Sequence, residues 1–171
     1  MTARRRSRRR KSVPLIVVVL ALAIWLARDL PRNFFDPAPS PEGGWRTVVR
    51  VVDGDTLVLD GNERIRLIGV DTPETVHPSR PVERFGKEAS AFTRRMVEGR
   101  RVRLAYDDER TDRYDRTLAY VYLQDGTLLN AEIIRQGYGH AYTQFPFRMM
   151  EEFRAYEREA RENRRGLWAD E

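Results

Sequence analysis

Three segments hold the side chains best suited to chemistry: Asp53-Gly54-Asp55-Thr56, Arg64-Ile65-Arg66-Leu67-Ile68-Gly69-Val70-Asp71-Thr72-Pro73-Glu74 and Arg110-Thr111-Asp112-Arg113-Tyr114-Asp115-Arg116. Between them they offer carboxylates, which can hold a hard cation or take a proton, and guanidinium forks, which match a pair of anionic oxygens. Each segment also has a plainer reading. Asp-Gly is a strong turn signal, so the first suits a hairpin. In the second, alternation turns Arg64 and Arg66 to one strand face, and Thr72-Pro73-Glu74 suits a helix start with proline in the first helical position. That helix would have to stop quickly, because Pro78 and Pro81 follow. The third suits a solvated, charged turn.

The elements that must position these segments are short. Arg46 to Val52, Thr56 to Leu59 and Arg64 to Val70 are rich in Val, Ile and Leu and are expected as strands, with Asp53-Gly54 and Asp60-Gly61 turning the chain between them. Phe85, Ala89, Phe92 and Met96 recur at helical spacing, which predicts a helix ending at Gly99. Strands Arg101 to Tyr106 and Thr117 to Leu123 follow, then a short helix around Leu129 to Gln136 that stops at Gly137. A last helix from about Pro146 to Arg164 carries Met149, Phe153, Tyr156 and Ala160 on one face, after which Gly166 lets Leu167 and Trp168 pack back. Five short strands with inserted helices suit an α+β chain built as a small Greek-key barrel of the oligonucleotide-binding type, although periodicity is also compatible with other α+β folds.

With 171 residues the chain has room for one domain and its appendages. It contains no Cys and only His77 and His140, which excludes disulfides and thiolate metal sites and turns any metal toward a hard cation held by oxygen. Both histidines suit surface positions. The pI of 9.9 must be divided before it is used. Residues 1–43 carry nine basic and three acidic side chains, a balance of +6, which leaves 22 basic and 23 acidic residues in the remainder. The globular part is thus near neutral, and any case for a nucleic-acid partner has to come from a local site.

The excess charge belongs to an N-terminal address. Residues 1–11 form a basic arm with seven positive charges between Arg4 and Lys11, and residues 12–27 are uncharged and mainly apolar. As a helix this run would span ~24 Å, a little short of the ~30 Å hydrocarbon core, with snorkelling basic ends covering the difference. The Ala21-Leu22-Ala23 site lies inside the apolar run, so an uncleaved single-pass transmembrane signal-anchor is expected in preference to a cleaved secretory signal. The positive-inside rule then keeps the arm cytoplasmic and sends the rest of the chain out of the cytoplasm. Residues 28–44, with Pro31, Pro37, Pro39, Pro41 and Gly43-Gly44, suit a semi-rigid linker, and the domain is expected over residues 45–171.

In one order along roughly residues 45–168, Asp53-Gly54-Asp55-Thr56, then Arg66 with Val70-Asp71-Thr72-Pro73-Glu74, then Thr111-Asp112-Arg113-Tyr114-Asp115-Arg116 with Leu118-Ala119-Tyr120, resemble the thermonuclease family typified by staphylococcal nuclease. Glu88-Ala89-Ser90-Ala91-Phe92-Thr93 and Arg135-Gln136-Gly137 extend the likeness. The resemblance implies a five-stranded oligonucleotide-binding barrel with three helices. It further implies a calcium-dependent endonuclease that cuts DNA and RNA on the 5′-oxygen side of phosphorus and leaves 3′-phosphate ends. By motif position it implies Asp55 and Asp71 as calcium ligands with the Thr72 carbonyl, and Glu74 as the general base. Arg66 and Arg116 become the phosphate clamps, with Arg113 and Tyr114 at a terminal phosphate and Tyr142 at the substrate.

Two positions depart from the family pattern. Asp115 stands where Gly is usual, and Thr143-Gln144 stands where a further Tyr is expected, in a shorter loop. Asp tolerates a left-handed turn. A lost ring removes base stacking, worth ~1–3 kcal/mol per base. The alternative is a catalytically silent barrel that binds nucleic acid or a protein partner. Against it stands the carboxylate cluster, which repels phosphate unless a cation sits on it. A monomer is expected.

Overall fold

A computed structural model describes residues 38–75 and 83–169. The expected basic arm, transmembrane segment and most of the linker lie outside the described residues, as do His77, Pro78 and Pro81. Among the described residues no helix is long and apolar enough to cross a membrane.

Among the described residues seven strands and three α-helices follow in order: β1 (Glu42–Asp53), β2 (Thr56–Leu59), β3 (Arg64–Leu67), β4 (Val70–Asp71), α1 (Gly86–Val97), β5 (Arg101–Ala105), β6 (Thr117–Tyr122), α2 (Leu129–Arg135), β7 (His140–Ala141) and α3 (Met150–Glu162). Five of the strands close into a barrel in the order β1-β2-β3-β6-β5, and β4 pairs with β7 outside it. Every barrel pairing is antiparallel except β3 with β6. This is the five-stranded barrel with three helices expected from the sequence. Its interior holds Val48, Val51, Leu57, Leu59, Ile65, Leu67, Val102, Leu104 and Val121, all nearly or wholly buried. β1 begins at Glu42, inside the stretch expected as linker, and its register against β5 slips between Glu42 and Arg46, where Gly43-Gly44 sit.

The expected single strand from Arg64 to Val70 is two strands. After Leu67 the chain leaves the barrel: Ile68 N–H still donates to the Ala119 carbonyl, but Gly69 takes a left-handed φ of 69°. Asn130, fully buried on α2, stitches this exit in place. Its amide donates to the carbonyls of Ile68 and Ala119 and its oxygen accepts from Val121 N–H. A Cβ on Gly69 would lie 2.5 Å from the Phe147 ring, so only glycine fits both the conformation and the contact. The same contact explains why α3 starts at Met150 and not near Pro146: residues up to Phe147 are used to cover Gly69.

Candidate active site

The first wall of the site is the β1–β2 turn. A Cβ on Gly54 would come within 2.6 Å of Thr72 Oγ1, so glycine here lets the turn press against the loop that follows β4. Thr93 Oγ1, buried on α1, donates to the Gly54 carbonyl at 2.7 Å and holds the turn from behind. Asp55 is thereby fixed. Its Oδ2 accepts from Thr72 N–H at 3.0 Å and Thr72 Oγ1 at 3.1 Å, while its Oδ1 accepts from Thr56 Oγ1 at 3.0 Å.

Arg66 rises from β3 between two carboxylates. Its Nη1 lies 2.8 Å from Asp55 Oδ2 and its Nη2 donates to Asp71 Oδ1 at 3.4 Å. Nη1 also donates to the Val70 carbonyl at 2.8 Å, so the guanidinium is oriented by backbone as well as by charge. Asp71 has a pKa above the ordinary carboxylate value, first through partial burial and then through the charge of Asp55, against the pull of Arg66 and His140. Two carboxylates that repel each other in a partly desolvated place, with the Arg66 guanidinium between them, offer hard oxygen ligands of the kind a divalent cation takes. Among the described residues no three histidine, aspartate or glutamate side chains converge on one point.

The second wall is the loop before β6. Asp112 organises it, accepting from the N–H groups of Tyr114 and Arg116 at 2.9 and 3.0 Å and from Arg116 Nε and Nη2, each at 2.6 Å. Burial alone would raise the Asp112 pKa, but these donors hold it below the ordinary value. Arg116 Nη1 reaches Thr56 Oγ1 at 3.4 Å, which links the loop through Thr56 to Asp55. Asp115 takes φ 60°, a left-handed turn conformation. Arg113 and Tyr114 stand exposed on the rim, with the Arg113 and Arg116 guanidiniums 4.7 and 5.4 Å from the Tyr114 ring.

Glu74 is held by Glu83 through its backbone: Glu74 N–H donates to Glu83 Oε2 at 3.1 Å, and Glu83 N–H to the Glu74 carbonyl at 2.9 Å. Its side chain meets Asp53, which is buried and takes Thr75 Oγ1 at 2.7 Å and Gly54 N–H at 2.8 Å. Burial raises the Asp53 pKa, and the hydrogen bond with the Glu74 carboxyl raises it further. Tyr142 follows β7, with its N–H on the Gly69 carbonyl at 2.9 Å and its hydroxyl on Gln144 Oε1 at 2.8 Å.

The fold therefore gathers Asp55, Arg66, Asp71 and Thr72 directly, and joins Arg116 to them through Thr56. Sequence reasoning gave no role to Asp53, Thr56, Thr93 or Asp112. The doubled acid of Asp53-Gly54-Asp55 and the four-residue spacing of Asp112 and Arg116 were available signals; nothing local marks Thr93. Chemically, the arrangement offers two guanidinium groups that match anionic oxygens and carboxylates that can take a proton.

The family described as "Staphylococcal nuclease homologue" matches residues 64–170. A protein named thermonuclease from Staphylococcus intermedius is 43% identical over 140 residues, covering 77% of this chain and 82% of its own. The thermonuclease of Staphylococcus hyicus is 40% identical over 163 residues, covering 91% and 96%. Endonuclease YhcR of Bacillus subtilis is 33% identical over 161 residues, which is 81% of this chain but 13% of that much longer protein. With the barrel, the ordered motifs and these matches in agreement, the chain belongs to the staphylococcal nuclease homologue family.

Proposed function

We propose that this protein is a calcium-dependent endonuclease that hydrolyses phosphodiester bonds of DNA, RNA or both. The observation that carries the reading is the placement of Arg66 and Arg116 around one group of carboxylates, joined through Asp55 and Thr56. Arg66 and Arg116 bind the non-bridging oxygens and take up the charge that builds as phosphorus gains a fifth bond. Glu74 accepts the proton of the attacking water, and Asp53 beside it keeps its carboxyl in place. Asp55, Asp71 and the Thr72 carbonyl would hold calcium, which when bound offsets their charge and polarises a phosphoryl oxygen. Arg113 and Tyr114 meet a terminal phosphate, and Tyr142 the substrate. Hydrolysis on the 5′-oxygen side leaves 3′-phosphate ends.

The same proposal places the domain outside the cytoplasm on a single-pass anchor over residues 12–27, acting as a monomer. The purified full chain in detergent should cut single-stranded DNA with calcium present and stop in EGTA. Full activity in excess chelator overturns the ligand roles of Asp55 and Asp71, and no cleavage of DNA or RNA at any calcium level returns the silent barrel. Membranes carrying the protein should retain it through a carbonate wash, because apolar insertion is not a screened contact. Added protease should reach the domain in intact spheroplasts; protection would overturn the orientation, and a shortened form in the medium would replace the anchor with a cleaved signal.

A further inference from the structure

Alternation along β3 turns Arg64 and Arg66 to the same outer face, with Ile65 between them buried in the barrel. Arg66 belongs to the site, and Arg64 stands two residues away, roughly 7 Å along the strand, with its side chain exposed. On the other side Ile65 pairs with Thr117, so Arg64 and Arg116 sit immediately before that pair on neighbouring strands. Arg64 thus borders both arginines of the site but differs from them in its surroundings. Arg66 has Asp55 and Asp71, and Arg116 has Asp112, whereas Arg64 has no ion pair or side-chain hydrogen bond among the described residues. The adjacent Glu63 is already taken by Arg46 Nη1 and Thr117 Oγ1, at 2.8 and 2.9 Å. Across the sheet the same row passes through Val58 to Arg50, which is also exposed and also without an ion pair among the described residues. Thr56, Val58, Arg64 and Arg66, the outward side chains of β2 and β3, include no carboxylate to repel a phosphate chain.

We propose that Arg64 binds the phosphodiester next to the scissile one, so that the strand leaves the site across β3 and β2 toward Arg50. The proposal rests on the nuclease reading. A third guanidinium beside two others costs repulsion, and no acid among the described residues offsets it at Arg64. An incoming anion does, and a nucleic-acid strand brings one at every nucleotide. A guanidinium whose fork is not spent on a carboxylate can take two phosphate oxygens at once. Such a contact positions the strand without reading its sequence. The contribution therefore falls on binding, while the chemistry at phosphorus belongs to other side chains.

The test compares the full-length protein and its Arg64→Ala variant in calcium on two short single strands of one sequence, read at the central bond. One strand has phosphodiesters throughout; in the other, the linkages flanking the central phosphodiester are neutral methylphosphonates. Arg64→Ala should raise KM about 3- to 10-fold on the charged strand, leave kcat unchanged, and leave both parameters unchanged on the neutral-flanked strand. The slope of log KM against log salt on the charged strand should become shallower by about 0.7. Arg64→Lys should restore most of the KM, and the urea midpoint of Arg64→Ala should not fall. An equal rise in KM on both strands, or none on the charged strand, overturns the contact. A lower urea midpoint with kcat reduced on both strands assigns Arg64 to the fold and overturns it as well. No cleavage of either strand by the unaltered protein overturns the nuclease reading instead, and the same fold-change, read as affinity for the charged strand, then decides on Arg64.

Discussion

The two arginines of the site are held in different ways. Arg66 leaves a barrel strand, is 15% exposed, and is fixed by a backbone carbonyl and two carboxylates from other elements. Arg116 sits at the end of a loop and is held chiefly by Asp112, four residues earlier in the same loop. The first is positioned by the whole barrel, the second by a local motif that brings its own counter-charge. Damage at Arg66 should therefore spread into the fold, and damage at Arg116 should stay in the chemistry.

The largest expected effect belongs to neither arginine. Glu74→Gln keeps the shape but removes the proton acceptor, so turnover should drop by ~10²–10⁴-fold with little change in unfolding midpoint; turnover near the unaltered level would remove Glu74 from the mechanism. Arg66→Lys keeps charge but loses the fork, lowering turnover by at least ~10²-fold. It should also cost about 1–3 kcal/mol of stability, because Val70 and Asp71 lose a charged donor. Arg116→Lys should match that turnover loss at under ~1 kcal/mol. Equal urea midpoints for the two Lys variants would break the comparison.

Asp112→Asn should lower turnover by about 10- to 100-fold through misplacement of Arg116. The Asp112 pKa is held below its ordinary value of 3.8 in the folded protein, so its stabilisation is complete above the unfolded pKa and is lost as pH falls through the lower, folded one. Melting curves of the protein and of Asp112→Asn should therefore converge only below that ordinary value of 3.8; a constant gap down to strong acid would show that the carboxylate charge is not what orders the loop. The smallest effect is Asp115→Gly. Relief of the left-handed strain and the added freedom of the unfolded chain nearly offset, leaving a change within about 1 kcal/mol and unaltered turnover.

What could be read in advance follows the range of the forces involved. β2 was legible to the residue, because Asp-Gly turns bracket an apolar run, and α1 differs by little from its periodic pattern. The break at Ile68-Gly69 was not, because its cause is Asn130 on a helix far along the chain. Phe147 likewise shortens the last helix for the sake of Gly69, a contact that no local spacing announces. In the site, the motif positions of Asp55, Arg66 and Asp71 proved to be spatial neighbours. The pairing of Glu74 with Asp53 was hidden, because a turn signal accounts for Asp53 without reference to anything outside the turn.

The parallel pairing of β3 with β6 sets Arg66 opposite Leu118, just past Arg116. Such a ladder joins segments distant in the chain, and its ordering entropy must be met before any of its hydrogen bonds form. The two cations are consequently strangers in every partly folded chain. A polypeptide still being synthesised carries all the side chains of the site and none of its bite. The site's chemistry is held back by topology until the last strands have met.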